Sequence, residues 1–70
     1  MLVKDIGLAI KKRRKSLKIT QPYLAELAKI GINTVCQIER GEANPTLDTL
    51  EKIADILGLQ FKIEVKNTNL

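Results

Sequence analysis

The chain has 70 residues, 44% of them hydrophobic, and a formal net charge of +4. A chain of this length forms one small domain with a thin core, so support from a partner chain is expected. The sequence has no 18-residue apolar run, no histidine and one cysteine, and we expect no secretory leader because charge follows the first apolar residues instead of preceding them. The sequence therefore predicts a cytoplasmic protein without a membrane span, disulfide, metal or cofactor.

The basic charge is concentrated at the N-terminal end. Residues 1–20 carry seven lysines and arginines against one aspartate, which leaves +6, whereas the other fifty residues sum to −2. Such a block favours a polyanionic partner, and it is also compatible with the ordinary solvated face of a helix. By itself it does not separate nucleic acid from an acidic membrane surface.

The first predicted helix covers residues 4–17. Ile6, Ile10 and Leu17 share one helical stripe, and Arg14 occupies the fourth position of the same stripe. A charged side chain on an apolar stripe needs a partner, so we expect a carboxylate to meet it.

Two short helices follow. Thr20 is a good N-cap and Pro22 suits a first turn, which together predict a helix over residues 21–28. After a three-residue turn, a third helix is predicted over residues 32–40, ending at the stop signal Gly41.

The C-terminal part changes its period. A fourth helix is predicted from the cap Thr46 to the stop signal Gly58, because its apolar residues keep the i, i+3, i+4 pattern. Residues 59–66 then alternate between apolar and polar, which is typical of a half-buried β-strand. The apolar residues of this strand are Leu59, Phe61, Ile63 and Val65.

Two short helices joined by a tight turn follow the helix-turn-helix plan, in which the second helix lies in the DNA major groove. If Val35 and Ile38 face inward, the helical period turns a short, almost uncharged face outward. Its members are Ile32, Asn33, Cys36 and Gln37. Amide side chains read adenine and apolar groups contact the thymine methyl, so we favour DNA reading over an ordinary solvated face, which would more often carry Lys and Glu.

The stretch from Ile6 to Leu57 resembles the Cro/cI-type (Xre) helix-turn-helix family. The resemblance is carried by "RRKSLKITQPYLAELA" and by "INTVCQIERGEANPTLDTLEKIADILGL". It implies an all-α fold, a compact lambda-repressor-like bundle of four or five helices over residues 1–58, and operator binding as a homodimer. The corresponding function is that of a sequence-specific transcriptional repressor.

The resemblance also implies roles for single residues. Gln21 matches the family's phosphate-contacting glutamine, and the family's helix-joining ion pair matches Arg14 and Glu39. The positions that contact bases in the family are Ile32, Asn33 and Gln37. The positions of its backbone-contacting loop are Arg40, Asn44 and Thr46.

Five residues depart from the family pattern. Ile32 is apolar where many members carry Gln or Arg, Leu27 stands where the family is usually polar, and the other three departures lie at turns. Lys18 and Lys29 stand where glycine is common, and each costs on the order of 1 kcal/mol if its backbone remains left-handed. Gly31 stands where the family prefers Ser or Thr, so the third helix loses a side-chain cap.

Residues 59–70 suggest how the chain assembles. A helix-turn-helix followed by one strand resembles the HipB-type antitoxins, whose strands pair across a dimer axis and whose partners are HipA-type kinase toxins. We favour pairing of this strand with a second copy, with Phe61, Ile63 and Val65 on its apolar side, because a lone strand leaves its ladder edge unsatisfied. A frayed tail, or an extension packed on its own domain, is the alternative.

Two functions therefore remain, a homodimeric operator-binding repressor and an antitoxin that binds a kinase-like toxin and autoregulates its operon. A membrane-bound first helix is less favoured, because its stripe contains Arg14 and lacks large aromatics. An enzyme is not expected, since the sequence offers no histidine, no Gly-rich phosphate loop and no nucleophile near a base.

Overall fold

The computed structural model of the chain describes residues 3–62, which form four α-helices. These are α1 (Val3–Ser16), α2 (Gln21–Ala28), α3 (Ile32–Arg40) and α4 (Leu47–Leu57). The all-α prediction and the bounds of the last three helices are confirmed, while α1 begins and ends one residue earlier than predicted. Within residues 3–62, no helix has the length and apolar character needed to cross a membrane.

Two of the helices are capped at their N-termini by a threonine hydroxyl. The Thr20 hydroxyl accepts the N–H of Tyr23 at 3.2 Å, and the Thr46 hydroxyl accepts the N–H of Thr49 at 3.1 Å. Each satisfies one of the N–H groups that a helix start leaves without a partner. By contrast, α3 begins at Gly31 with no side-chain cap.

Two lysines adopt the left-handed backbone that glycine usually supplies. Lys18 has φ 59° and Lys29 has φ 57°. A Cβ is strained in this region by roughly 1–2 kcal/mol. The turns before α2 and α3 therefore keep a glycine-like geometry at an energetic cost.

The core lies between the four helices, with α1 and α2 each packed against both α3 and α4. Its buried members come from every helix: Ile10, Leu24, Ala25, Ala28, Val35, Ile38, Leu50, Ile53 and Leu57. Fully burying one such aliphatic side chain contributes about 1.5–3 kcal/mol. Because Val35 and Ile38 are held inward by this packing, the opposite face of α3 is turned to solvent.

Helix α1 approaches the C-terminal end of α3 very closely. A Cβ added at Gly7 would collide with the carbonyl oxygen of Ile38 and lie 3.1 Å from that of Glu39. A Cβ added at Gly41 would lie 2.9 Å from the Cα of Lys4. The two glycines thus allow the backbones of α1 and α3 to touch.

The first residue of the segment after α4 is in contact with the four helices. The N–H of Leu59 donates to the carbonyl of Ala54 at 2.9 Å, and the Leu59 side chain packs against the core. Leu59 and Phe61 face α1 across an open groove of about 460 Å³. Residues 59–62 form no strand; the rest of the predicted strand, with Ile63 and Val65, lies outside the described residues.

Candidate nucleic-acid interface

The outward face of α3 presents the uncharged side chains that the sequence placed there. Ile32, Asn33 and Gln37 are exposed, with 41% of the Ile32 surface accessible to solvent. Cys36 is half-buried at the edge of this face. The arrangement offers two amides, which donate and accept hydrogen bonds, beside one apolar group.

A buried ion pair holds α3 against α1. The Nε of Arg14 donates to Oε2 of Glu39 at 2.7 Å, and its Nη2 donates to Oε1 at 3.0 Å. The two side chains are only 9% and 2% exposed. The remaining Arg14 nitrogen, Nη1, donates to the carbonyl of Ile19 at 2.8 Å. One guanidinium therefore joins α1, the turn before α2 and α3.

The electrostatics of this pair favour the charged state. Hydrogen bonding to the Glu39 carboxylate raises the pKa of Arg14 above its ordinary value, and burial acts in the opposite direction without prevailing. Among the described residues, no buried side-chain nitrogen or oxygen lacks a hydrogen-bond partner. Each charge of this buried pair is therefore balanced by the opposite charge and by hydrogen bonds, which offset the cost of removing it from water.

The network continues from the ion pair to the start of α2. The Nε2 of Gln21 donates to Oε1 of Glu39 at 3.0 Å, and the Sγ of Cys36 donates to Oε1 of Gln21 at 3.3 Å. The Gln21 amide is thus oriented by two partners and keeps one N–H for an external acceptor. Sequence reasoning missed this arrangement, because Gln21 and Cys36 lie on different helices.

The predicted backbone-contacting residues lie around the loop between α3 and α4. Arg40, Asn44 and Thr46 are all exposed. Arg40 pairs with Glu42 at 2.9 Å, and both side chains are more than half exposed, so this pair is weak and easily exchanged for a phosphate. Thr46 has a structural task as well, since its hydroxyl caps α4.

Residues 3–62 hold no group of three or more His, Cys, Asp or Glu side chains suited to a metal ion. What the described face provides is hydrogen-bonding amides, an apolar contact and nearby positive charge. This is the chemistry of groove reading.

The fold and this face agree with a family comparison. A family model described as "Helix-turn-helix" matches residues 10–63, which is more than half of the chain. The chain therefore belongs to the helix-turn-helix family, and its Cro/cI-type (Xre) resemblance is confirmed.

Two curated relatives are similar in sequence. The chain is 46% identical over 65 residues to the immunity repressor protein of Bacillus phage phi105, covering 93% of this chain and 45% of the relative. It is 44% identical over 52 residues to the HTH-type transcriptional regulator DicA of Escherichia coli (strain K12), covering 74% and 38%. The chain thus spans less than half the length of these two relatives.

Solved structures share the fold. The restriction-modification controller protein C.AhdI from Aeromonas hydrophila matches with a TM-score of 0.79 and 26% identity, over 83% of this chain and 88% of that one. The clp gene regulator ClgR from Corynebacterium glutamicum matches with a TM-score of 0.80 and 24% identity, over 84% and 63%. The HipB-type resemblance of residues 59–70, and with it the antitoxin alternative, receives no support from these relatives.

Proposed function

We propose that this chain is the DNA-reading module of a transcriptional repressor that binds a two-fold operator as a homodimer. The observation that carries the proposal is the uncharged polar face of α3, held outward by the buried pair of Arg14 and Glu39. The names of the curated relatives, a phage repressor and a transcriptional regulator, support it. The chemistry is binding, and no catalytic role is proposed.

The bases are read by three side chains of α3. Asn33 and Gln37 each carry an amide that pairs bidentately with the N6 and N7 edge of adenine, and Ile32 offers an apolar contact for a thymine methyl. A half-site rich in A·T pairs is therefore the expected target. Because none of the three is charged, the electrostatic attraction to the DNA backbone must come from other residues.

The phosphates are contacted by residues around the reading helix. Gln21 presents its remaining amide N–H, and Arg40, Asn44 and Thr46 present exposed polar groups from the loop after α3. Such contacts fix the register of the protein on the duplex and carry no base information. The positive N-terminal end adds attraction at a distance.

A second copy completes the operator complex. One domain reads too few base pairs, whereas a two-fold dimer reads two half-sites about 34 Å apart on one face of the duplex. We place the dimer contact in residues 59–70. Phe61, Ile63 and Val65 would be the apolar side of a strand that forms only when it pairs with its symmetry copy, since residues 59–62 form no strand in the single chain. A repressor of this kind acts in the cytoplasm.

Selection from random duplexes, followed by titration of single-base variants of the selected site, tests the proposal. Asn33→Ala and Gln37→Ala should each lose about 1–3 kcal/mol of discrimination at one base pair per half-site, because each removes a bidentate contact. The matched control is Arg40→Ala, which should weaken binding to all sequences alike. A uniform loss of affinity in both α3 variants would contradict the base-reading assignment.

A further inference from the structure

Three exposed lysines form a row along one flank of α1. Lys4, Lys11 and Lys15 are seven and four residues apart, the spacing that brings side chains to one helix face. At about 100° per residue, all three lie about 60–100° from Arg14 on the same side. We call these three residues the lysine row.

The contacts of α1 establish which way the row faces. Gly7 and Arg14 both meet the C-terminal part of α3, Gly7 at the backbone and Arg14 at Glu39. Arg13 lies on the other side of Arg14 and donates its Nε to the carbonyl of Leu57 at the end of α4, at 2.7 Å. One flank of α1 is therefore turned to α4, and the lysine row occupies the opposite flank, beside α3.

The N-terminal end of the row adjoins the loop that follows α3. The Cα of Lys4 would lie 2.9 Å from a Cβ on Gly41, so α1 passes directly beside this turn. The same loop carries Asn44 and Thr46, which we propose as phosphate contacts. The row thus continues this edge of the interface onto α1.

The five basic residues 11–15 differ in the contacts that they make. Arg13 binds the last turn of α4, and Arg14 is engaged in the buried ion pair. Lys12 lies about 160° from Arg14 and so faces away from α3. Only Lys11 and Lys15 are both exposed and on the α3 side of the helix.

We propose that the lysine row binds backbone phosphates of the duplex that flanks each half-site, outside the bases read by α3. The inference rests on the proposed function, because it assumes that α3 lies in the major groove. Lysine binds phosphate as a point charge without a required geometry, and each neutralised phosphate releases condensed counterions. The row therefore adds affinity that depends on salt and is independent of sequence.

Three single variants with the same charge change test the inference. Lys11→Gln and Lys15→Gln remove a charge from the row, and Lys12→Gln removes one from the opposite face. Circular dichroism confirms that each variant folds, and fluorescence anisotropy measures its affinity for the selected operator duplex between 50 and 200 mM salt.

Each row variant should reduce the slope of log K against log salt by about 0.9 for every phosphate that it no longer neutralises, while Lys12→Gln keeps the wild-type slope. For one such phosphate, the affinity of a row variant should fall about three- to four-fold less than that of wild type over this salt range. Trimming the duplex to the bases read by α3 should abolish the difference from wild type.

Two outcomes would overturn the inference while the proposed function stands. In the first, wild type binds its selected duplex and the slopes of Lys11→Gln and Lys15→Gln equal that of Lys12→Gln. In the second, the row variants still differ from wild type on the trimmed duplex, which places their phosphates inside the half-site. Failure of wild type to select any duplex would instead refute the proposed function.

Discussion

At the scale of single residues, Arg14 has the largest structural role among the charged side chains near α3. Its guanidinium donates to both oxygens of Glu39 and to the carbonyl of Ile19. These three hydrogen bonds link α1, the turn before α2, and α3. Removing one partner of a buried pair leaves an uncompensated charge and costs about 3–5 kcal/mol. For a domain of this size, that is a large share of the total stability.

A double-mutant cycle with Arg14→Met and Glu39→Gln tests this role. Each single change should lower the free energy of unfolding by about 3–5 kcal/mol, and the double change should cost clearly less than the sum. Urea unfolding in a stabilising osmolyte keeps the weak variants measurable. The exposed pair of Arg40 and Glu42 provides the control, with an expected coupling of about 0–1 kcal/mol. Equal couplings in the two cycles would contradict the buried role.

The Arg14 guanidinium should not make the fold sensitive to pH in the neutral range. Because the pKa of Arg14 is raised from an already high value, its stabilising contribution is fully present below the unfolded-state pKa. It is lost only as the pH rises through the raised folded-state value, far above neutrality.

Some contacts of this interface could be predicted from the sequence, and others could not. Arg14 on an apolar stripe required a carboxylate, and the family resemblance supplied Glu39. The hydrogen bond between Gln21 and Cys36 had no such signal, because the two are 15 residues apart and neither is unusual at its position. Tertiary contacts of this kind depend on how helices cross, which local patterns do not contain.

At the scale of elements, local chemistry determines most helix ends. The hydroxyl caps Thr20 and Thr46 and the left-handed glycines Gly41 and Gly58 stand where the sequence predicted helix boundaries. The backbone contact of α1 with α3 at Gly7 was not predicted, since a glycine inside a helix is usually only a mild destabiliser. Gly7 shows its purpose only once the carbonyl of Ile38 is in place beside it.

Gly7→Ala should therefore destabilise the fold in spite of the better helix propensity of alanine. The added methyl meets a backbone carbonyl that cannot rotate away, and overpacking of this kind costs about 1–3 kcal/mol. Thermal unfolding should show a lower Tm. Gly31→Ala controls for the added methyl alone, which would find only the Thr34 hydroxyl at 3.8 Å. Because alanine is a poorer N-cap than glycine, this variant should lose about 0.5–1 kcal/mol through the cap of α3 and nothing through overpacking. A Gly7→Ala variant as stable as wild type would mean that α1 moves freely on α3.

In the segment after α4, the helix-stop signal at Gly58 and the strand-like alternation of residues 59–66 indicate different structures. Residues 59–66 alternate as a strand does, yet the N–H of Leu59 closes the end of α4 on Ala54. This hydrogen bond is the six-to-one contact of a Schellman motif, in which a left-handed glycine, here Gly58, ends the helix. The helix stop therefore governs the first residue of the alternating stretch, and the period alone does not show this.

At the scale of the whole molecule, the proposed dimer links the assembly of two chains to their affinity for the operator. Removing residues 63–70 keeps Leu59, which packs on the core, and removes Ile63 and Val65 from the proposed strand. Sedimentation should then show a monomer or a much weaker dimer. Operator affinity should fall by more than the loss of Lys66 alone explains, because two half-sites are no longer read together.

Paired substitutions separate the apolar side of the proposed strand from its polar side. Serine at both Ile63 and Val65 should weaken the dimer as the truncation does, whereas serine at both Glu64 and Lys66 should leave it intact. A truncated protein that stays dimeric with unchanged operator affinity would place the dimer contact elsewhere in the molecule.

The attachment of α3 is unequal along its length. Its C-terminal half is fixed by Glu39, by the backbone contact with Gly7 and by the turn at Gly41, whereas its first turn begins at a glycine without a side-chain cap. A helix fixed at one end adjusts mainly at the other. On the proposed assignment of Asn33 and Gln37 as base-reading residues, the base pair read by Asn33 should therefore contribute less discrimination than the one read by Gln37, so that related operators diverge first at one edge of each half-site.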